Sequence, residues 1–170
     1  MSVLLIIAAS TGFGQPGLIE SSWLINYGST GWDEGRGVVE DDYGNFIQCG
    51  VTYNYSISSY DAYLTKTSSL GDSIWSQRFT ALTVDRGFFA VDQCDDGGYI
   101  ISGATGGSPG IGLTVTRNDA DGYVEWANFY GERGWDVSYT IQQNTGGDYV
   151  GYGGGENLGG ETGRVLDEIV

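Results

Sequence analysis

The chain has 170 residues, with seven Lys and Arg against 22 Asp and Glu, a formal charge of −15 and no histidine. That balance excludes nucleic acid as a partner, because phosphates are held by clustered Lys and Arg, and it disfavours adhesion to anionic membrane surfaces. The lack of histidine removes His-based triads, Cys–His nucleophiles and His metal ligands.

In chain order, the first element is an apolar run, Val3-Leu-Leu-Ile-Ile-Ala-Ala9, followed by Ser-Thr-Gly12-Phe-Gly14. It reads in two ways. One is the core of an export leader over residues 1–14, cleaved after Gly14 at a small-x-small site, although no Lys or Arg precedes Arg36 to supply a basic start. The other is an apolar strand at a mature terminus. The run is too short to span a bilayer, which takes about 20 apolar residues, and no second such stretch follows, so no membrane span is expected in the mature chain.

From here the chain repeats itself over residues 15–170. Trp23, Trp75 and Trp126 are spaced 52 and 51 residues apart, and each opens a similar stretch, as in Trp23-Leu-Ile-Asn-Tyr27-Gly28 and Trp126-Ala-Asn-Phe-Tyr130-Gly131. Asp33, Asp85 and Asp136 follow ten residues after each Trp. Turns at Asp42-Tyr-Gly44-Asn45, Asp96-Gly97-Gly98 and Gly146-Gly147-Asp148 come next, then Phe46-Ile47, Tyr99-Ile100 and Tyr149-Val150. Lys66 and Arg117 stand nine residues before the next Trp, and Gly71 and Gly122 four before it. Each unit divides into short runs rich in Val, Ile, Thr, Tyr and Phe, separated by Gly- and Asp-containing turns. In the second copy the expected strands are Gly87–Cys94, Tyr99–Ala104, Leu113–Arg117 and Tyr123–Tyr130. No amphipathic helix is expected after residue 20, because apolar residues do not recur at helical spacing.

Four antiparallel strands in a unit of about 50 residues predict an all-β protein built of β-propeller blades, two complete and one incomplete. The segment Asp61-Ala-Tyr63-Leu64-Thr-Lys66-Thr-Ser-Ser-Leu-Gly71-Asp-Ser-Ile-Trp75, with Asp96-Gly-Gly-Tyr99-Ile100, resembles the secreted bacterial β-propeller repeat family common in exported proteins of Bacteroidetes-type bacteria. Thr80 and Ile111-Gly-Leu113 depart from that pattern. The resemblance implies a fold and hardly any activity, since the shared residues are fold-forming. It implies a secreted or cell-surface, non-catalytic scaffold or binding module for protein interaction or adhesion. The first Trp strand, Ile19–Tyr27, is expected to lack preceding strands of its own blade. Closed rings hold roughly four to eight blades, so the remaining blades are expected from further sequence or another chain.

Candidate functional residues are few. The pairs Asp41-Asp42, Asp95-Asp96 and Asp119/Asp121 fall in turns, where Asp bonds its own backbone. Asn118-Asp119-Ala-Asp121-Gly122 resembles a calcium loop fragment but lacks the Glu at its twelfth position, so a plain hairpin turn is expected and no metal. Gly151–Gly155 has no Lys or helix after it, so no cofactor is expected. Asp33, Asp85 and Asp136 are expected to brace loops between blades. Cys49 and Cys94 read as small buried hydrophobes, or as a disulfide in an exported protein. Aromatic residues remain: Trp32 and Trp135, just before that Asp, and Tyr53, Tyr55 and Tyr60 on a loop spanning Thr52 to Asp61. They either pack between blades and cover strand ends or bind a ligand, a glycan or a protein. A carbohydrate-binding propeller is therefore the first alternative function, and an enzyme whose catalytic part lies outside this chain the second.

Overall fold

The computed structural model describes residues 4–10, 21–27, 31–56, 58–80, 87–107, 110–130, 136–155 and 164–169. Every regular element among them is a strand. A first sheet pairs β1 (Leu4–Ser10) with β2 (Ser21–Tyr27). A second is a meander of β3 (Asp33–Glu40), β4 (Phe46–Asn54), β5 (Ser59–Thr67) and β6 (Ser73–Phe79). The third repeats it with β7 (Gly87–Gln93), β8 (Tyr99–Gly107), β9 (Gly110–Asn118) and β10 (Val124–Tyr130). The fourth holds β11 (Asp136–Gln143), β12 (Tyr149–Gly155) and β13 (Arg164–Ile169). All pairings are antiparallel, and neighbours in sequence are neighbours in each sheet.

The sheet boundaries follow the tryptophan interval. Lys66 stands opposite Trp75, Arg117 opposite Trp126 and, in the first sheet, Ala8 opposite Trp23. The expectation that the first Trp strand lacks a preceding partner is therefore corrected: β1 holds the third-strand position beside it. For the apolar run itself the structure contains the strand alternative, with all seven residues of β1 matched to β2. Apolar, β-branched side chains suit such a ladder as well as they suit a leader core. A second difference lies at the hairpin of the third sheet. Thr105–Gly110, expected as a turn, continues the ladder to a Gly107–Gly110 pair, because glycine weakens a strand without removing its backbone donors and acceptors.

Two clusters form the core among the described residues, one between the second and third sheets and one between the third and fourth. Ile47, Cys49, Ala62 and Leu64 of the second sheet meet Phe88, Val91, Tyr99 and Ile101 of the third, with Val39, Trp75 and Phe79 at the margin. Cys94, Ile100, Leu113 and Val115 meet Ile141 of the fourth, with Trp126 and Tyr149 packed on them. Consecutive Ile100 and Ile101 thus serve opposite faces of one strand, as period-2 alternation requires. Burying such a side chain contributes about 1.5–3 kcal/mol, and no single sheet gains this alone. The recurring Trp75 and Trp126 hold the inter-sheet positions expected of them, and Trp23 lies in β2.

The first strand of the second, third and fourth sheets carries one extra residue each. The ladder slips at Arg36 in β3, Phe89 in β7 and Tyr139 in β11. These bulge residues meet one another. The Arg36 guanidinium lies 4.3 Å from the Phe89 ring centre, and Phe89 meets Tyr139 edge-on at 5.9 Å. The first strands approach closely, since a Cβ on Gly37 would lie 3.0 Å from the Phe89 carbonyl oxygen.

Candidate functional site

A side-chain arrangement that recurs at every junction maintains the fold, whereas one that breaks the repeat marks a place where the chain does something particular. Both kinds are present.

The recurring arrangement explains the basic residue nine positions before Trp75 and Trp126. Lys66 Nζ donates to the Tyr99 hydroxyl of the next sheet at 2.9 Å and pairs with Asp41 of its own sheet at 2.8 Å. One unit on, Arg117 Nε donates to the Tyr149 hydroxyl at 3.1 Å and its guanidinium pairs with Asp96. Trp75 and Trp126 pack on the same tyrosines at 6.1 and 5.9 Å. Burial alone would raise the Asp41 pKa, but the Lys66 ammonium and the N–H groups of Asn45 and Tyr43 outweigh it and hold it below the usual carboxylate value. Burial likewise pulls Lys66 down, and Asp41 with Tyr99 more than reverses this, so its pKa is raised. For Asp96 the Gly98 N–H leads and Arg117 adds to a lowered pKa. At the junction ahead of the second sheet both partners change: Ala8 holds the register position of Lys66, and Phe46 that of Tyr99.

The turn carboxylates behave as local sequence predicts. Asp41 Oδ1 accepts from the N–H groups of Tyr43 and Asn45, and Asp119 Oδ1 from those of Asp121 and Tyr123. Asn118–Gly122 is thus a hairpin turn. Asp33 accepts a hydrogen bond from the Thr52 hydroxyl on the adjacent strand. Asp136 has the same register against Gly155, and Asp85 lies outside the described residues. Cys49 and Cys94 are buried and free, so the disulfide alternative is not formed. Burial pushes their thiol pKa values up to about 12 and about 11.

The repeat breaks at the β4–β5 hairpin. The loop expected over Thr52–Asp61 is mostly ladder. Tyr53 pairs with Tyr60 and Asn54 with Ser59, and of the residues between them Tyr55, Ser56 and Ser58 are described, all in the turn. Ser58 adopts φ 52°, and the Asn54 side chain accepts from the Ser56 N–H at 3.0 Å, which pins the turn. Tyr53 donates its backbone N–H to the Trp32 carbonyl at 2.8 Å. Strand alternation therefore sets Trp32, Tyr53 and Tyr60 in one row across three strands. Tyr53 meets Tyr55 edge-on at 4.9 Å and Tyr60 at 5.1 Å. Trp32 is 65% exposed, so the expected packing between blades is not met for it, and Tyr55, 66% exposed, lies against Tyr53 at the end of the hairpin. In the third sheet the Tyr53–Tyr60 pair is replaced by Gly106 opposite Ile111. Trp135, the remaining aromatic candidate, lies outside the described residues.

The opposite face of this hairpin is polar. Asn54 Nδ2 donates to Asp61 Oδ2 at 2.7 Å, and Arg78 Nε lies 3.7 Å from the same oxygen. Asp61 is fully buried, and its Oδ1 has no hydrogen-bond partner, a position that suits an ordered water. Asp61 too is unrepeated, Gly112 standing opposite Thr105 where Asp61 stands opposite Thr52. Sequence spacing located the tyrosines but not their alignment with Trp32, which depends on cross-strand register.

No protein-family model matches the chain, and no curated protein matches it. Among solved structures it is similar to the crystal structure of a protein of unknown function from Bacteroides caccae, with 11% identity and a TM-score of 0.51. The match covers 86% of this chain and 49% of that one, so the chain spans about half the length of that structure. At such identity the likeness concerns fold alone.

Proposed function

We propose that the chain is part of a non-catalytic β-propeller binding module of an exported or cell-surface protein, and that the Trp32–Tyr53–Tyr55–Tyr60 row is its contact surface. Stacked four-stranded meanders whose first strands come closest together support the propeller reading, since blades converge on their inner strands. The remaining blades come from further sequence or a second chain. The observation that carries the binding role is an aromatic row, exposed at Trp32 and Tyr55, whose half-buried Tyr53 and Tyr60 stand where the next sheet has Gly106 and Ile111. Fold maintenance is already served by the repeated Lys66 and Arg117 contacts, so the row is surplus to it.

Retention of the purified protein on immobilised extracellular proteins and glycans tests the role. Wild type is expected to be retained on one surface class, and Trp32→Ala/Tyr55→Ala to lose about tenfold in affinity with an unchanged circular dichroism spectrum. Equal retention of the two proteins refutes the assignment. Export and β1 make opposite demands on residues 1–14, because cleavage after Gly14 removes β1. Amino-terminal sequencing of the secreted protein decides: a start at Gln15 supports the leader, and a retained β1 opposes it.

A further inference from the structure

We infer that the ligand of this row is a neutral glycan, stacked by the apolar faces of its rings on Trp32 and Tyr55; the inference rests on the binding role proposed above. Exposed indole and phenol faces offer flat, low-entropy contact area, which is what the C–H face of a sugar ring requires. The platform is preorganised. Tyr53 is held between Tyr55 and Tyr60 at interplanar angles of 80° and 76°, and the ladder fixes it against the Trp32 backbone. Little ordering is left to be done on binding.

The polar groups around the row narrow the class. Tyrosine hydroxyls each donate and accept, as hydroxyl-rich ligands demand. Glu34 and Arg36, on the strand that follows Trp32, pair at 3.3 Å and together offer acceptors and donors with no net charge. Arg36 is committed twice, to Glu34 and to the Phe89 ring. With the chain at −15, a sulfated, uronic or phosphorylated ligand meets a repulsive field and no uncommitted charge from Arg36.

The test is isothermal titration of the whole chain with soluble dextran, xylan, mannan and galactan, and with a sulfated polysaccharide, at about 0.05 and 0.5 M NaCl. A neutral polysaccharide is expected to bind with a dissociation constant of roughly micromolar to millimolar size and to change less than about twofold with salt. Tyr55→Ala and Trp32→Ala should each weaken it about tenfold, and Tyr55→Phe, which keeps the stacking face, less than about threefold. Binding to no neutral polysaccharide, binding to the sulfated one alone, or affinity indifferent to Tyr55→Ala and Trp32→Ala overturns the inference. If retention on an immobilised protein is lost in Trp32→Ala/Tyr55→Ala while no neutral glycan binds, the contact surface stands and its ligand is a protein. If retention is unaffected as well, the surface itself is wrong.

Discussion

Lys66→Met is the most informative perturbation of the fold. It removes the ammonium that joins Asp41 at 2.8 Å and the Tyr99 hydroxyl at 2.9 Å, and keeps most of the side-chain volume. Cutting one side of a buried ion pair costs about 3–5 kcal/mol, because the remaining charge is left without its counterpart. Asp41 keeps three donors at 2.8–3.0 Å, from Tyr43 and twice from Asn45, which places the cost near the lower limit, about 3 kcal/mol. For a chain of this size that is roughly 6–12 °C in Tm. Tyr99→Phe removes only the hydroxyl and should cost about 1.5–3 kcal/mol, as for a hydrogen bond to a charged group. Urea titrations of the two single variants and the double variant, followed by circular dichroism, measure both costs and a coupling of about 1.5 kcal/mol. A Lys66→Met protein within about 0.5 kcal/mol of wild type, the range of an ordinary surface change, would refute the view that these contacts join the sheets.

The same pair predicts a pH profile. Asp41 is depressed in the fold, so its contribution is present above the unfolded value of about 3.9 and is lost as pH falls through the folded one. Lys66 is raised, so its contribution is full below about 10.4 and is lost as pH rises through its folded value. Urea midpoints of Lys66→Met should therefore vary less at both extremes than those of wild type. Gly122 sits at φ +83° with the Trp75 ring 2.8 Å from where a Cβ would stand. Gly122→Ala combines left-handed strain of about 1–2 kcal/mol with overpacking of about 1–3 kcal/mol, and should lower the stability read from urea titration by about 2–5 kcal/mol. Cys49 and Cys94 should resist iodoacetamide at neutral pH until the chain unfolds, since both thiols are buried and protonated, and mass spectrometry of native and urea-treated samples reads this directly.

Much of the architecture was legible from the chain alone, because alternation and turn chemistry are local. The Trp interval located the sheets, and the glycine-containing turns at Gly44, Gly97 and Gly147 located the first hairpin of the second, third and fourth. Long-range geometry was not legible. Lys66 and Arg117 were visible as recurring cations, but their hydroxyl partners lie one sheet away. The bulges at Arg36, Phe89 and Tyr139 leave no pattern in composition, since the three residues share no chemistry. The apolar run at Leu4–Ser10 is ambiguous in principle, because a hydrophobic strand and a leader core use the same side chains. At the candidate site, the tyrosines were found by their crowding, whereas their row with Trp32 required knowing that Tyr53 faces Tyr60.

The sheet-to-sheet cross-link has a direction. Its cation belongs to one unit and its phenol to the next, and the third sheet encodes both halves, Tyr99 towards the second sheet and Arg117 towards the fourth. A copy of the third sheet therefore carries both residues needed to dock head-to-tail on its parent, with no new one to be invented at the seam. Where Ala8 and Phe46 hold those register positions, neither half of the cross-link is encoded.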